Sequence, residues 1–471
     1  MNVIVIGAGP AGLATAMLLA GRGHQVTVLE RDPAEPLSTG PQSWESWERP
    51  GVSQFRLAHV MMPRGLALLE AELPEVVAEL ETAGARRHNM IAGAWGAPAV
   101  GGRLPGDERY ETIAARRPVL EFALATVAAR TAGVTIRRGD GITRLVPGSE
   151  RLSGVPHVAG VETRGGAVLH ADLVVNASGR NSQFARMFAE LGPIRDTEER
   201  AEAGFVYYAR HYRDSGNGLP EATRWPLIHQ ETVTAGTLPG DNGTWSLILV
   251  ASSRDQDLRA LREVDAWDRA IELFPEYAHW ARHGEPLTGV QVMSAGQARR
   301  RDLVADGLPV VTGLLAVGDA WATTNTTFGL GLSMSLVQGA LLRDAIDTVD
   351  VVDHVKLGLA FAESLETTAA PYYRALADWD THRLAEIDSV LKGEPYETAD
   401  PAWLVIRALD AAKVSHPDLV RALADVGSML EPAEHVLARP GLIDLIMSLG
   451  ADASRYPAPG LFRRELLAAI G

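Results

Sequence analysis

Residues 2–6, Asn-Val-Ile-Val-Ile, form an apolar run that ends at a glycine, the pattern of a short strand buried on both faces. A glycine turn follows, then an apolar helical stretch from Pro10 to Gly23. A second run, Gln25 to Leu29, ends at Glu30 and completes a predicted βαβ opening. Residues 31–60 are rich in Pro, Ser, Gly and Trp and read as loop. In residues 63–84, Leu66, Leu69, Leu73, Val77 and Leu80 recur at helical spacing. Val119–Arg130 predicts an amphipathic helix and Val134–Arg137 a short strand. The runs Val158–Thr163 and Val168–Asn176 flank Gly165-Gly166 and predict a hairpin. Residues 204–213 and 243–252 read as strands, with Pro239-Gly240-Asp241-Asn242-Gly243 as a turn between them. From Leu314 the pattern is strand, Thr- and Gly-rich loop, then helix over Leu332–Val349, and residues 355–471 read as almost wholly helical.

Alternation of strand and helix therefore returns at the start, in the middle and near residue 315, with a β-rich stretch between. This order predicts a mixed α/β (α+β) fold with one nucleotide-binding domain built from separated segments, 1–60, 110–190 and 300–350. A substrate-binding domain, 61–109 and 191–299, interrupts it, and a helical C-terminal region, 351–471, closes the chain.

Composition narrows the function. Of 471 residues, 46 % are hydrophobic and 22 % charged, which is ordinary globular usage. No apolar run approaches the ~20 residues of a membrane-spanning helix. The first residues lack the basic and long apolar regions of a signal peptide, so they are expected to belong to the fold and the chain to the cytoplasm. There is no cysteine, which excludes disulfides, thiolate nucleophiles and Cys-based metal sites, and no metal-binding motif is present. A net charge of −15 makes nucleic acid a poor partner. Lysine occurs only at Lys356, Lys392 and Lys413.

Gly7-Ala8-Gly9-Pro10-Ala11-Gly12 follows a strand, opens a helix, and precedes a second strand ending in Glu30, eighteen residues after Gly12. That context defines a dinucleotide-binding fingerprint. Gly7 serves the tight turn, Gly9 lets the backbone approach a pyrophosphate, and Gly12 lets helix and strand pack closely. The helix N-terminus attracts the phosphates, and Glu30, beside Arg31, is placed to accept hydrogen bonds from the ribose hydroxyls.

A second motif, Leu314-Leu315-Ala316-Val317-Gly318-Asp319-Ala320, is followed by Phe328-Gly329-Leu330-Gly331-Leu332. A strand delivers an Asp to a loop, and two glycines admit a flat ligand before a helix begins. Together with the fingerprint, this pair of motifs resembles the p-hydroxybenzoate-hydroxylase-like FAD enzymes, and is most similar to bacterial oxygenases of secondary metabolism such as polyether epoxidases. The resemblance implies a Rossmann-like FAD-binding domain of the glutathione-reductase type. It implies that Asp319 binds the ribityl chain and that the helix behind Gly329, Gly331 and Leu332 points its positive end at the flavin N1–C2=O edge. Asp172-Leu173-Val174-Val175-Asn176-Ala177-Ser178-Gly179-Arg180-Asn181-Ser182 resembles the same family's middle motif, with Asn176 where relatives carry Asp. Arg117-Pro118-Val119-Leu120-Glu121 resembles its Arg at a helix start, which implies that Arg117 reaches the FAD, with Arg116 as the competing residue. Gly51-Val52-Ser53-Gln54 with His59, and the 239–244 turn, fit the same group. Relatives carry Asn-Pro where this chain has Asn325-Thr326.

The resemblance implies monooxygenation: epoxidation or hydroxylation of a small organic substrate through a flavin C4a-hydroperoxide. Electrons would come from NAD(P)H bound transiently or from a separate flavin reductase, since no second GxGxxG is present. His59, Tyr207, Tyr208, Arg210, His211 and Trp245 are candidates to line the substrate pocket, and Trp44 and Trp47 to cover the flavin or anchor a loop. No general acid or base is evident, and the cofactor carries such chemistry itself. A reductase or dehydrogenase without oxygen insertion, a flavin halogenase and a non-catalytic flavin-binding protein are the alternatives. The absence of lysine before residue 356 argues against the halogenase, which uses a lysine beside its substrate.

Overall fold

The structure is a computed structural model and describes residues 1–180, 184–192, 197–216, 218–222, 225–350, 352–452 and 461–471. Its centre is a five-stranded parallel sheet in the order Leu314–Ala316, Leu173–Asn176, Asn2–Ile6, Gln25–Glu30, Val134–Arg138. These runs are apolar because helices cover the sheet, as parallel sheets require. Pro10–Ala20, Arg117–Arg130 and Leu330–Thr348 share one core with it. The register pairs Ile6 with Leu29 and with Asn176, and Asn176 with Ala316. The fingerprint turn, the middle motif and the Gly318-Asp319 turn thus leave the sheet side by side at its carboxyl edge, where open α/β sheets bind ligands.

A second, seven-stranded sheet runs Leu227–His229, Val233–Pro239, Thr244–Ser252, Glu198–Asp214, Gln291–Arg301, Ala322–Thr323, with Gly284–Pro286 beside the long central strand. One turn ties the two sheets together. Asp241, in the predicted 239–243 turn, accepts two hydrogen bonds at 2.8 and 2.9 Å from the backbone N–H and Nε of Arg116, and a third at 2.5 Å from Nη2.

Three elements differ from expectation. The 63–84 helix is two helices, Pro63–Glu72 and Pro74–Thr82, because Pro74 has no N–H to continue the first. Both pack into the core that holds Leu13, Leu124 and Leu342, although sequence position grouped residues 61–109 with the substrate segments. The predicted hairpin is divided: Val168–His170 pairs with Val155–Thr163, but Leu173–Asn176 joins the parallel sheet. Asp172 marks the switch, its carboxylate accepting the Asn2 N–H at 2.8 Å. Within the 31–60 loop lies a short helix, Gly40–Ser46, capped by the Thr39 hydroxyl.

The described residues of the C-terminal region form helices joined by loops, with residues 393–400 as the longest loop described in full, and among the described residues no helix is long and apolar enough to cross a membrane. Its longest helix, Ala370–Lys392, backs the second sheet. Trp379 meets Phe328 edge-on at 4.8 Å, and Arg383 donates to the carbonyls of Gln230 (2.5 Å) and Glu231 (3.2 Å). Between them Asp380, fully buried, accepts from Asn325 Nδ2 at 2.5 Å, and its other oxygen has no hydrogen-bond partner. Burial pushes this carboxyl up to about 8.

In the unfolded chain Asp380 ionises near its ordinary value of ~3.9. The folded chain therefore holds an extra proton between about pH 4 and 8, and this group's contribution to stability falls as pH rises through that window. Asp380→Asn has no proton to lose. Its stability relative to the parent protein is expected to climb between pH 4 and 8, by at least about 1.4 kcal/mol, the worth of one pKa unit. Denaturant melts at pH 4, 6 and 8 measure this, and parallel curves for the two proteins would refute a protonated Asp380.

Candidate functional site

The three fingerprint glycines are required for three different physical reasons. Gly7 has φ +106°, a conformation other residues rarely adopt, and its N–H donates to Leu29 O at 2.8 Å. A Cβ on Gly12 would stand 2.0 Å from Gly7 O, so only glycine lets the Pro10–Ala20 helix start there. A Cβ on Gly9 would meet nothing within 4 Å: it faces a cavity. Gly7, Pro10, Ala11, Glu30 and Arg31 line the same cavity, whereas Gly12 is packed behind it.

Glu30 is buried and already accepts from the N–H groups of Ala8 (2.9 Å) and Asp32 (3.0 Å) and from Arg49 (2.5 Å). Of its roughly four acceptor positions one remains open. Arg49, which sequence reasoning missed, continues the chain of charges to Glu121 at 2.5 Å. Glu121 binds Arg117 Nε at 2.6 Å, and Arg117 Nη1 donates to His59 Nε2 at 3.0 Å. Burial works against the charge on Glu121, but Arg117 and Arg49 outweigh it and hold the carboxyl below its ordinary value. Burial, helped by Arg117, pushes His59 down to about 3. With Nδ1 donating to Leu57 O at 3.2 Å, the ring is a neutral Nδ1–H tautomer with both nitrogens engaged. The sequence signal for Arg49 was slight: two acids at the ends of buried elements need a cation, but nothing in residues 31–60 singled one out.

Arg116 and Arg117 have different neighbours. Arg117 lines the cavity, while Arg116 is spent on Asp241 and on the face of Trp44, 4.3 Å from its ring centroid. Trp44 and the buried Trp47 therefore anchor the loop, and neither lines the cavity. Asn176 Oδ1 accepts from the backbone N–H (3.1 Å) and hydroxyl (2.5 Å) of Ser178 and holds the turn that carries Ser178, Gly179 and Arg180 to the cavity wall. The motif's Asn181 and Ser182 lie outside the described residues.

Asp319 also faces the cavity, from a single turn, Gly318–Ala320, whose Gly318 has φ +64° and donates its N–H to Gln338 Oε1 at 2.5 Å. Gly329, φ +67°, precedes the Leu330–Thr348 helix, and a Cβ on Gly331 would meet nothing within 4 Å. Gly329, Gly331, Leu332 and Thr326 line the cavity.

The same cavity is walled by Tyr207, Ala209, Leu238, Ile248 and Met293 of the second sheet. Of the pocket candidates only His59 and Tyr207 line it. Tyr208 and Arg210 alternate with Tyr207 and Ala209 along one strand and so face the opposite side. There Tyr208 joins a core with Trp245, and Arg210 pairs with Asp268 at 2.5 Å. His211 is tied to Arg56 O and to the Ser246 hydroxyl, both at 2.8 Å. Of the lysines, Lys356 and Lys392 are exposed, and Lys413 Nζ pairs at 2.7 Å with Asp410, itself on the cavity wall.

Comparison with known proteins agrees with this geometry. Residues 2–89 match the model of the FAD dependent oxidoreductase (DAO) family. Protein Rv3254 of Mycobacterium tuberculosis is 27 % identical over 363 residues, covering 73 % of each chain. PqsL of Pseudomonas aeruginosa, described as a probable FAD-dependent monooxygenase, superposes with a TM-score of 0.59 at 18 % identity over 83 % of this chain and 99 % of its own. The flavin-dependent brominase Bmp2 superposes with a TM-score of 0.55 at 17 % identity over 96 % and 94 %. The N-terminal segment therefore resembles that of FAD-dependent oxidoreductases, the chain shares its fold with solved flavoproteins, and FAD is its cofactor.

Proposed function

We propose that this protein is an FAD-dependent monooxygenase that transfers one oxygen atom to a small organic substrate, by epoxidation or hydroxylation, with electrons drawn from NAD(P)H. The observation that carries the reading is continuity: one cavity is lined by Gly9, Glu30 and Asp319 and also by Tyr207, Ile248 and Met293. Cofactor walls and substrate walls thus enclose a single space.

The residues fit FAD. Open space over Gly9 accommodates a pyrophosphate at the start of the Pro10–Ala20 helix, whose free N–H groups favour anions. Gly7, Pro10, Ala11, Glu30 and Arg31 hold the adenosine diphosphate half, Glu30 through its open acceptor position, and Gly12 acts only by letting the helix start behind them. Asp319 and Arg117 hold the ribityl side, and the helix start at Gly329, Gly331 and Leu332 presents its positive end to the flavin ring. Bound and reduced, FAD supplies the two electrons with which O2 is activated. His59, neutral and with both nitrogens engaged, is neither acid nor base in this scheme. The protein's part is to orient the substrate against the apolar sheet wall and to keep water out. On this reading segments 1–60, 110–190 and 300–350 form the cofactor domain. Nicotinamide, lacking a fingerprint of its own, binds transiently or reduces flavin on a separate reductase.

The brominase likeness and the Lys413–Asp410 pair at the cavity wall keep halogenation as a second reading. Under 18O2 with NAD(P)H or reduced flavin, halide and a panel of activated aromatics and alkenes, product is expected to gain one 18O. Halogenated product that vanishes in Lys413→Ala would establish the second reading instead, and oxidised product without 18O would establish a dehydrogenase.

FAD binding is expected to be non-covalent, since the chain has no cysteine and neither glycine motif contains a histidine. Acid precipitation should leave the yellow colour in the supernatant, and colour in the pellet would contradict this. Gly9→Val fills the pyrophosphate space, and Asp319→Ala removes a charge-assisted hydrogen bond worth about 1.5–3 kcal/mol, or roughly ten- to a hundredfold in affinity. Both variants are expected to fold yet lose FAD in titrations by flavin fluorescence. Full occupancy at micromolar protein would remove these residues from the site.

A further inference from the structure

The loop Thr324–Gly329 carries a polar cluster that the cofactor reading leaves unused. Asn325 is buried, and its Oδ1 accepts three hydrogen bonds: from Thr327 N–H at 2.8 Å, from the Thr327 hydroxyl at 2.7 Å, and from the Tyr207 hydroxyl. The Thr327 N–H can only donate, so it fixes which end of the amide is oxygen. The Nδ2 end then points to Asp380 and donates to it at 2.5 Å. Asp380 thus closes a line of three side chains, with Thr327 as a branch, that runs through Asn325 from the interior of the Ala370–Lys392 helix to Tyr207 on the cavity wall.

We infer that Asp380 and Asn325 lock the polarity of Tyr207: its one proton is committed to Asn325 Oδ1 or to the Thr327 hydroxyl 3.0 Å away, so the phenol oxygen meets the substrate as an acceptor, and the site selects molecules presenting a hydroxyl or N–H donor from an otherwise apolar body. The inference rests on the monooxygenase reading and names the substrate class within it. Ala209, Leu238, Ile248 and Met293 on the sheet wall carry no polar group, and His229, on the same wall, has its Nδ1 engaged with the Thr234 hydroxyl at 2.8 Å. Burial pushes Tyr207 up to about 12, which keeps the phenol neutral with a single proton to place. Asp380 and Asn325 are positioning residues, acting through Tyr207.

The test uses FAD-loaded protein and two probes of like shape, 1-naphthol and 1-methoxynaphthalene, which differ in the donor alone. Binding is read as perturbation of the flavin visible spectrum, with no turnover required. Naphthol is expected to bind about tenfold or more tighter, because a site built around a polar contact rejects the analogue that lacks it. Tyr207→Phe is expected to erase that preference while FAD affinity stays unchanged. Asp380→Asn, whose amide oxygen still accepts from Asn325, is expected to retain it, and Asp380→Leu to weaken it. Equal shifts with both probes, or none with either up to their solubility, would overturn the inference and leave the cofactor reading standing. Failure of the parent protein to bind FAD would overturn the cofactor reading itself.

Discussion

Arg49 sets the condition on which the rest of the site depends. Its side chain is 4 % exposed and lies between Glu30, 5 % exposed, and Glu121, fully buried. Two carboxylates held out of water repel one another, and each carries a desolvation cost of several kcal/mol. A single guanidinium, with five donors in a rigid fork, satisfies both and also donates to Ala8 O at 3.2 Å. The fingerprint turn, the long 31–60 loop and the start of the Arg117–Arg130 helix thereby meet at one charge. Removing it would leave buried Glu30 without a cation and Glu121 with Arg117 alone, and breaking a buried pair in comparable cases costs about 3–5 kcal/mol. The open acceptor position on Glu30 and the placement of Arg117 beside His59 both follow from that centre.

Legibility in the sequence tracked how local the physics was. Gly7, Gly9 and Gly12 could be assigned separate duties because a turn, an open face and a close packing contact each leave a mark at fixed spacing. The strand ending at Glu30 and the Gly318-Asp319 turn were readable for the same reason. Arg49 was not, because its partners lie 19 and 72 residues away and the loop that carries it has no period. The pocket candidates divided by the pleat of one strand. Tyr207 was legible as a pocket residue, but Tyr208 and Arg210 were grouped with it although successive side chains in a strand oppose one another. Only the paired strands and Trp245 on the far side show which face is the cavity's.

The C-terminal helices were the least readable part. Their helicity was plain from composition and period, yet nothing local indicated that Asp380 would lie against Asn325, 55 residues earlier. The substitution of Thr326 for the relatives' proline also gains a context. Asn325 is held from outside the loop by Asp380 and Tyr207 and is bonded across Thr326 to Thr327, so the loop is fixed by these partners where a proline ring would have fixed its backbone.

Arg116 and Arg117 are adjacent in the chain but have different partners, one gripping Asp241 in the turn of the second sheet, the other Glu121 and His59 beside the cavity. The Arg116 backbone N–H is itself bonded to Asp241 at 2.8 Å, so the chain that carries both guanidinium groups is held at that turn. The two sheets thus share a fulcrum rather than a hinge. Energetic effects of changes at the 239–243 turn and at Glu121 will not simply add, because both are transmitted through one pair of residues. A change of shape in the 239–243 turn is therefore felt at Glu121 and His59 through one dipeptide at the start of the Arg117–Arg130 helix.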